Sequence, residues 1–186
     1  MECKMSRSET GKQIESAFPE SVREDVSRVA LILPEPLHLC AATFRVIVKA
    51  EMVAIPYRIY HDPQLIRTDQ LSSLQQEILS CLLTRHCSGF VRQEHLIRIV
   101  GSHQSWAPPF VVQLIGEYVV EICRVVQENQ ADLDVKLYRD FLEANPALWA
   151  VTKQRVVSYW DCYYRATPRE KYVGFQIVRY LDSLIQ

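Results

Sequence analysis

Two acidic side chains stand one helical turn apart in the most apolar stretch of the chain. Glu117 and Glu121 lie in WAPPFVVQLIGEYVVEICRVVQE, residues 106–128. Two carboxylates at this spacing raise each other's pKa when both are buried, which is one way of making an acid–base pair. Arg124, three residues after Glu121, can instead neutralise that carboxylate on the helix surface. A solvated or ion-paired stripe is the interpretation that we favour.

Cysteines and histidines are concentrated between residues 81 and 95. This stretch contains no CxxC or HxxxH pair, which would place two zinc ligands on one turn. Cys87 directly follows His86, but adjacent residues at a helix end point about 100° apart, so a thiol–imidazole pair is not expected. We therefore expect neither a metal ion nor a cofactor. The four side chains concerned are Cys81, His86, Cys87 and His95.

The composition excludes several classes of protein. The 186 residues include only five glycines and no glycine-rich phosphate loop, which excludes P-loop and dinucleotide enzymes. A net charge of -1 gives no general attraction to nucleic acid or anionic lipid. The N-terminus lacks the apolar segment of a signal peptide, and no run of about 18 apolar residues follows. We expect a cytoplasmic protein that is not associated with a membrane and has reduced thiols.

Helical periodicity dominates the sequence and predicts an all-α fold. Residues 1–18 are polar and weakly periodic, so we predict a flexible N-terminal tail followed by a single helical domain, residues 19–186. The predicted architecture is a compact bundle of about seven to eight helices in antiparallel pairs, similar in manner to HEAT repeats, although no fixed repeat is present. The apolar spacing predicts helices over about 22–33, 37–48, 69–86, 91–100, 106–128, 132–144, 146–165 and 168–184.

Two segments have distinct places in this bundle. Residues 106–128 are apolar over most of the helical circumference, which predicts one continuous central helix. Residues 53–63, VAIPYRIYHDP, contain two prolines and several β-branched and aromatic residues, which predicts one extended connector. The connector is expected to attach to the domain through Ile55, Tyr57 and Ile59.

The sequence LSSLQQEILSCLLTRHCSGFVRQEHLIRIVG, residues 71–101, resembles the first two helices of a winged-helix DNA-binding domain. The resemblance implies a DNA-binding regulator over residues 69–128, with the helix after Trp106 in the major groove. Groove entry requires side chains that donate to phosphates and base edges. From Phe110 to Val126 the segment has one arginine, two glutamates and a wide apolar surface, which disfavours nucleic acid as a partner.

Four further segments resemble a group of uncharacterised bacterial all-helical proteins. They are IPYRIY, TRHCSGFVRQEHL, APPFVVQLIGEYVVEI and SYWDCYYR. The resemblance covers residues 55–165, and it implies a helical fold with no assigned activity.

Basic residues recur near the third and fourth predicted helices. Three arginines, with histidines that titrate beside them, could supply an anion-binding rim. A solvated basic face is the interpretation that we favour. The residues are Arg85, His86, Arg92, His95, Arg98 and His103.

Aromatic and arginine side chains are concentrated in residues 155–165. Such residues dominate binding hot spots because they combine a large contact area with polar tips, but they also fill cores, so both interpretations stay open. We predict a non-catalytic protein-interaction module with a protein partner. The alternatives are the DNA-binding regulator and a small-molecule-binding protein or enzyme with a pocket between the central helix and the YWDCYYR helix. The candidate binding residues are Arg92, His95, Trp106, Arg155, Tyr159, Trp160, Tyr163, Tyr164 and Arg165.

Overall fold

The computed structural model describes residues 7–38 and 42–186. The chain packs into two compact units, one ending at His95 and the other comprising Leu96–Gln186. Nine α-helices and one two-stranded sheet lie in the described ranges, which confirms the mostly-α fold class. Within these ranges, no helix has the length and apolar character needed to cross a membrane. The single domain over residues 19–186 stays a prediction.

The first unit combines helices with a β-hairpin. Its elements are α1 (Arg7–Glu15), α2 (Arg23–Ile32), β1 (Thr43–Val48), β2 (Glu51–Pro56), α3 (Ser73–Leu83) and the start of α4 (Gly89–Ile99), with short 3-10 helices at Glu20–Val22 and Pro63–Leu65. Helix α1 packs on α2 and on β2, and α2 packs on α3. The core between these elements includes Ile14, Val26, Val29, Ile55 and Ile78, all buried.

Helix α1 lies where the sequence predicts a flexible tail over residues 1–18. Ile14, Ala17 and Phe18 are buried, so the tail prediction is wrong for residues 7–18. The segment is held by β2, because the backbone N–H of Ala54 donates to the carbonyl of Ser16 at 2.7 Å. Such a tertiary contact leaves no periodicity in the sequence. Residues 1–6 lie outside the described residues.

A β-hairpin replaces the helix predicted over residues 37–48. Strands β1 and β2 pair in antiparallel register through the two-residue turn Lys49–Ala50, and both turn residues have positive φ, 47° and 68°. This is the mirror-image turn that matches the twist of paired strands. Burial alternates along β1, as expected for a strand with one covered face. Residues 39–41 lie outside the described residues.

The extended connector over residues 53–63 is confirmed. Its first part is β2, and the rest runs beside the end of α3, where Ile59 N–H donates to the Arg85 carbonyl at 2.9 Å and Cys87 N–H donates to the Ile59 carbonyl at 3.1 Å. The Arg85 guanidinium, itself buried, donates to the Tyr57 carbonyl at 3.0 Å. Ile55 and Ile59 are buried, and Tyr57 is half-buried.

The second unit is built from helices around a central one. Helix α5 (Pro108–Ile115) packs on the three helices that follow it, and all eight of its residues are buried. Helix α9 packs on α6, α7 and α8 and closes the unit. The elements that follow α5 are α6 (Val120–Glu128), α7 (Val135–Ala144), α8 (Pro146–Tyr163) and α9 (Val173–Leu184), with short 3-10 helices at Gln130–Asp132 and Arg169–Lys171.

The continuous central helix predicted over residues 106–128 is wrong. It is interrupted between α5 and α6, where Gly116 caps the first helix and Val119 is extended. Gly116 has a packing role, because a Cβ there would lie 3.3 Å from Cδ of Arg155 on α8. The absence of a side chain therefore lets α8 approach the end of α5 closely.

Candidate functional site

Three tyrosine rings form a row on the second unit. Tyr118 lies in the break between α5 and α6, and Tyr159 and Tyr163 lie one turn apart near the end of α8. The ring centroids are 6.0 Å apart for Tyr118 and Tyr159, and 6.3 Å apart for the stacked pair Tyr159 and Tyr163. Tyr118 is 56% exposed and Tyr163 is 68% exposed, whereas Tyr159 between them is half-buried. We call these three side chains the tyrosine surface.

Arg155 joins the helices that carry the tyrosine surface. It lies one turn before Tyr159 on α8, and its aliphatic chain packs against Gly116, two residues before Tyr118. The side chain is half-buried. Long arginine stems commonly bury their methylenes in this way while the charged end stays near solvent. Arg155 therefore joins α8 to the end of α5, two residues before Tyr118.

Trp160 lies on another side of α8 and packs inside the unit. Its ring contacts Phe175 of α9 at 5.7 Å between centroids, and its indole N–H donates to the Thr167 carbonyl at 2.8 Å. The Arg169 guanidinium lies 4.6 Å from the Trp160 ring centroid, a distance typical of a cation–π contact. Trp160 is thus an anchor between α8 and α9.

Tyr164 also packs against the second unit. Its ring stacks on Tyr172 with the centroids 5.2 Å apart. Burial raises the pKa of the Tyr164 hydroxyl, and the negative charge of Glu121 raises it further. The aromatic cluster is therefore divided between the two predicted roles, since Tyr163 is exposed beside the half-buried Tyr159, while Trp160 and Tyr164 pack against α9 and Tyr172.

Arg165 lies just beyond α8 and is exposed. Its Nε atom is 3.2 Å from Oδ1 of Asp161, one turn earlier. An exposed pair of this kind contributes only about 0–1 kcal/mol, so Arg165 can exchange it for another contact at little cost.

Three predicted binding residues are buried, which removes them from an external surface. Arg92 donates from Nη1 to the carbonyl oxygens of His86 and Cys87, at 2.9 and 2.8 Å. The Nδ1 atom of His95 lies 3.2 Å from a serine hydroxyl on α3, and Trp106 is enclosed just before α5. The anion-binding rim and the solvated face are both wrong for Arg85, His86, Arg92 and His95, which are all buried. Arg92 instead holds the turn between α3 and α4.

Both ring nitrogens of His86 are hydrogen-bonded to backbone groups. Its Nδ1 accepts the N–H of Ser88 at 3.0 Å, so the proton must lie on Nε2, which donates to the His61 carbonyl at 3.0 Å. The Sγ atom of Cys87 is 3.9 Å from either ring nitrogen. Because neither nitrogen is available as a base, the geometry does not make Cys87 an activated nucleophile.

The acid–base candidates do not share an environment. Glu117 is buried, whereas Glu121 and Tyr163 are exposed. The predicted polar stripe is therefore split at the break before α6, and the two glutamates are not buried together. In residues 7–38 and 42–186, no three His, Cys, Asp or Glu side chains are placed to hold a metal ion.

Tyr118 is the member of the tyrosine surface that the sequence analysis missed. It stands in an almost uninterrupted apolar run, and a continuous helix would have kept it at the centre of the bundle. The signal that could have identified it is Gly116, a helix-weakening residue two positions earlier.

Comparisons of the chain with protein-family models, with curated proteins and with solved structures found no match.

Proposed function

We propose that the chain is a non-catalytic interaction module whose second unit binds a protein partner through the tyrosine surface. The observation that carries the proposal is the row of rings with both outer members exposed, Tyr118 by 56% and Tyr163 by 68%. Tyrosine offers a large, rigid contact area and loses little conformational entropy on binding. Mutual ring contacts at 6.0 and 6.3 Å reduce that loss further, because the rings are already ordered.

The surroundings of the rings indicate the chemistry of the partner. Near the rings, the exposed residues Asp161 and Arg165 form an ion pair, and the exposed Glu121 lies three residues after Tyr118. The partner is expected to offer apolar side chains to the ring faces and hydrogen-bonding groups to the hydroxyls. We place the interaction in the cytoplasm, which fits the four unpaired cysteines of the described residues.

The DNA-binding alternative has less support. The helix that would enter the major groove contains α5, and all eight residues of α5 are buried within the chain. A recognition helix needs an exposed face with donors for phosphates and bases. The net charge of -1 supplies no compensating attraction.

The test begins with capture of binding proteins by the full chain, followed by calorimetry with each purified candidate. We expect Tyr118→Ala and Tyr163→Ala each to weaken affinity by about 1–3 kcal/mol while the helical circular dichroism stays unchanged. Phe90→Ala is the matched control, because Phe90 is an equally large aromatic residue, 87% exposed, on α4. A partner that binds both tyrosine variants as tightly as the wild type contradicts the proposal.

A gel-shift titration tests the DNA-binding alternative. Mixed-sequence duplex is titrated at about 50 and 200 mM salt, because neutralised phosphates make affinity fall steeply with salt. Micromolar binding with that dependence would support the DNA-binding regulator. We expect no shift at about 10 μM protein, a concentration above ordinary non-specific affinities at low salt.

A further inference from the structure

The β-hairpin of the first unit turns one face to solvent. Burial alternates along β1, so Arg45 and Ile47 point away from the covered side of the hairpin. Ile47 pairs with Met52 of β2, and the two side chains are 38% and 66% exposed. Arg45 and the turn residue Lys49 are exposed as well. We call Arg45, Ile47, Lys49 and Met52 the outer face of the hairpin.

Ile47 and Met52 form an apolar patch at the centre of this face. The backbone N–H of Ala54 points out of the hairpin to the Ser16 carbonyl, so Ala54 and Met52, two residues earlier, lie at non-hydrogen-bonded positions of the ladder. Paired side chains approach most closely at such positions. A single exposed apolar residue is ordinary, whereas adjacent ones form a contact patch, and methionine adapts its shape to many partners.

Two cations flank the apolar patch along the chain. Arg45 lies two residues before Ile47, and Lys49 lies two residues after it. Neither of the two basic side chains makes a hydrogen bond or ion pair with any residue that the structure describes. Glu51 does not neutralise them, because it pairs with a residue on the covered side and its Oε2 accepts the N–H of Glu20 at 2.8 Å. The outer face is therefore positive on a chain whose net charge is -1.

Lys49 occupies its position at a conformational cost. Its φ is 47°, and the residues favoured at both positions of such a turn are asparagine, aspartate and glycine. Residues held in sparsely populated backbone conformations are concentrated at functional sites. The presence of a lysine at this position therefore supports a role for its ammonium group.

We propose that the outer face of the hairpin is a docking surface for an acidic, extended segment of a partner protein. A strand rises about 3.3 Å per residue, so Arg45, Ile47 and Lys49 follow one another at intervals of roughly 6.6 Å. An extended segment with an acidic, an apolar and an acidic residue at alternate positions has the same spacing on one side. Its apolar side chain would contact Ile47 and Met52 while its carboxylates pair with the two cations. This docking surface does not depend on the tyrosine surface of the second unit.

The probe is a synthetic peptide centred on Glu-Thr-Leu-Thr-Glu, in which the threonines favour an extended backbone. It is titrated into the isotope-labelled full chain, and the amide signals of residues 43–54 are followed by NMR. We expect saturable shifts of these signals. The affinity should fall when salt is raised from about 20 to 200 mM, because exposed charges are screened. The control peptides, Lys-Thr-Leu-Thr-Lys and Glu-Thr-Ser-Thr-Glu, should both bind more weakly.

Lys49→Asn separates binding from folding. Asparagine suits the positive φ of the turn, so this variant should melt at or above the temperature of the wild type. It should nevertheless bind the acidic peptide about two- to fivefold more weakly, the range expected for one exposed ion pair. Arg45→Gln should weaken binding to a similar extent. Arg67→Gln is the matched control, because Arg67 is an exposed arginine outside the hairpin, and it should bind as the wild type does.

A reversal of charge gives the sharpest outcome. The double variant Arg45→Glu, Lys49→Glu should lose the acidic peptide and bind the basic one. Wild-type affinity in Lys49→Asn, or equal binding of the acidic and basic peptides by the wild type, overturns the proposal. An oligonucleotide that shifts the same signals at a lower concentration than the peptide also overturns it, since phosphates would then be the ligands of the two cations. Tyr163→Ala should leave peptide binding unchanged, which separates this test from that of the tyrosine surface.

Discussion

Trp149 donates its indole N–H to Oδ1 of Asp182 at 2.8 Å and so joins α8 to α9. The ring of Trp149 is buried, and Nζ of Lys153 contacts the same carboxylate oxygen at 3.0 Å. Removal of the carboxylate would leave the indole N–H without its acceptor, which costs more than an ordinary surface hydrogen bond.

We therefore predict that Asp182→Ala lowers the free energy of unfolding by about 1–3 kcal/mol. Asp182→Asn should cost less, because the amide oxygen still accepts the indole N–H. Chemical denaturation followed by circular dichroism measures both. Asp140→Ala, which removes an exposed ion pair with Lys136, is the control and should change stability by less than about 0.5 kcal/mol. Equal losses for Asp182→Ala and Asp140→Ala would contradict the role given to Trp149.

Ala50 holds a positive φ of 68° in the hairpin turn, a conformation in which a Cβ is strained. We predict that Ala50→Gly stabilises the protein by about 0.5–1 kcal/mol, because glycine adopts this region without steric cost. The same substitution four residues later, Ala54→Gly in β2, should destabilise it by a similar amount. Thermal melts that shift in the same direction for both variants would refute the turn geometry.

Two glycines should respond oppositely to alanine. At Gly174 on α9 a Cβ would lie 2.7 Å from Cε1 of Tyr172 and 2.9 Å from Cγ1 of Val156, so Gly174→Ala should cost about 1–3 kcal/mol. At Gly11 on α1 nothing lies within 4 Å, and Gly11→Ala should stabilise the helix by about 0.5–1 kcal/mol. Melting temperatures measure both changes. A neutral Gly174→Ala would mean that α9 packs less closely on α8 than described.

Thiol reactivity should divide the described cysteines into two pairs. Cys87 and Cys162 are exposed, while Cys81 and Cys123 are buried. Burial raises the pKa of the Cys123 thiol to about 12, and it raises that of Cys81 well above its usual value, so neither forms much thiolate at neutral pH. Alkylation of the folded protein, followed by peptide mass spectrometry, should label Cys87 and Cys162 first. Labelling of Cys123 at the rate of Cys162 would show that the second unit opens readily.

Stability should fall as the pH is lowered through the range of histidine. Burial is the main cause that lowers the folded-state pKa of both His61 and His86 below the usual 6.5, and the positive charge of Arg92 adds to the shift of His86. Below pH 6.5, these two histidines therefore bind more protons in the unfolded chain than in the folded chain. The stability present above pH 6.5 is lost as the pH falls from 6.5 toward the lowered pKa values that His61 and His86 have in the folded state.

The measurement is the melting temperature at several pH values between about 7.5 and 5.5, the range in which histidine titrates. In the double variant His61→Gln, His86→Gln, the melting temperature should fall less steeply as the pH is lowered. His103→Gln is the control, because that ring is exposed, and it should leave the decline intact. An equal slope in the double variant would assign the pH dependence to other groups.

Helices with local signals were predictable from the sequence. Helix α3 begins after Ser72, whose hydroxyl accepts the N–H of Gln75 while the Gln75 side chain accepts the N–H of Ser72, a capping box visible in the residue types. Helix α8 begins at Pro146, where a missing N–H costs nothing. These caps depend only on neighbours in the chain. Helix α8 begins at its predicted residue, whereas α3 begins four residues after its predicted start at residue 69.

The β-hairpin was not predictable in the same way. Its turn is Lys49–Ala50, whereas the recognisable signal for such a turn is Asn-Gly or Asp-Gly. Phe44, Ile47 and Val48 fit a helical spacing as well as an alternating one over so short a run. Pairing with β2 and packing on α1 decided the outcome, and both are tertiary contacts.

For the aromatic residues of α8, the sequence determined which side chains are present but not which of them are exposed. Residue types alone established that tyrosines, a tryptophan and arginines surround the end of this helix, and that a single helix cannot bury all of them. Only the tertiary structure decided that Trp160 packs on α9 while Tyr159 and Tyr163 continue the row begun by Tyr118. The reason is physical: the exposure of a side chain depends on which neighbouring helix covers it, and the break before Tyr118 lies where α8 packs closely on Gly116 at the end of α5.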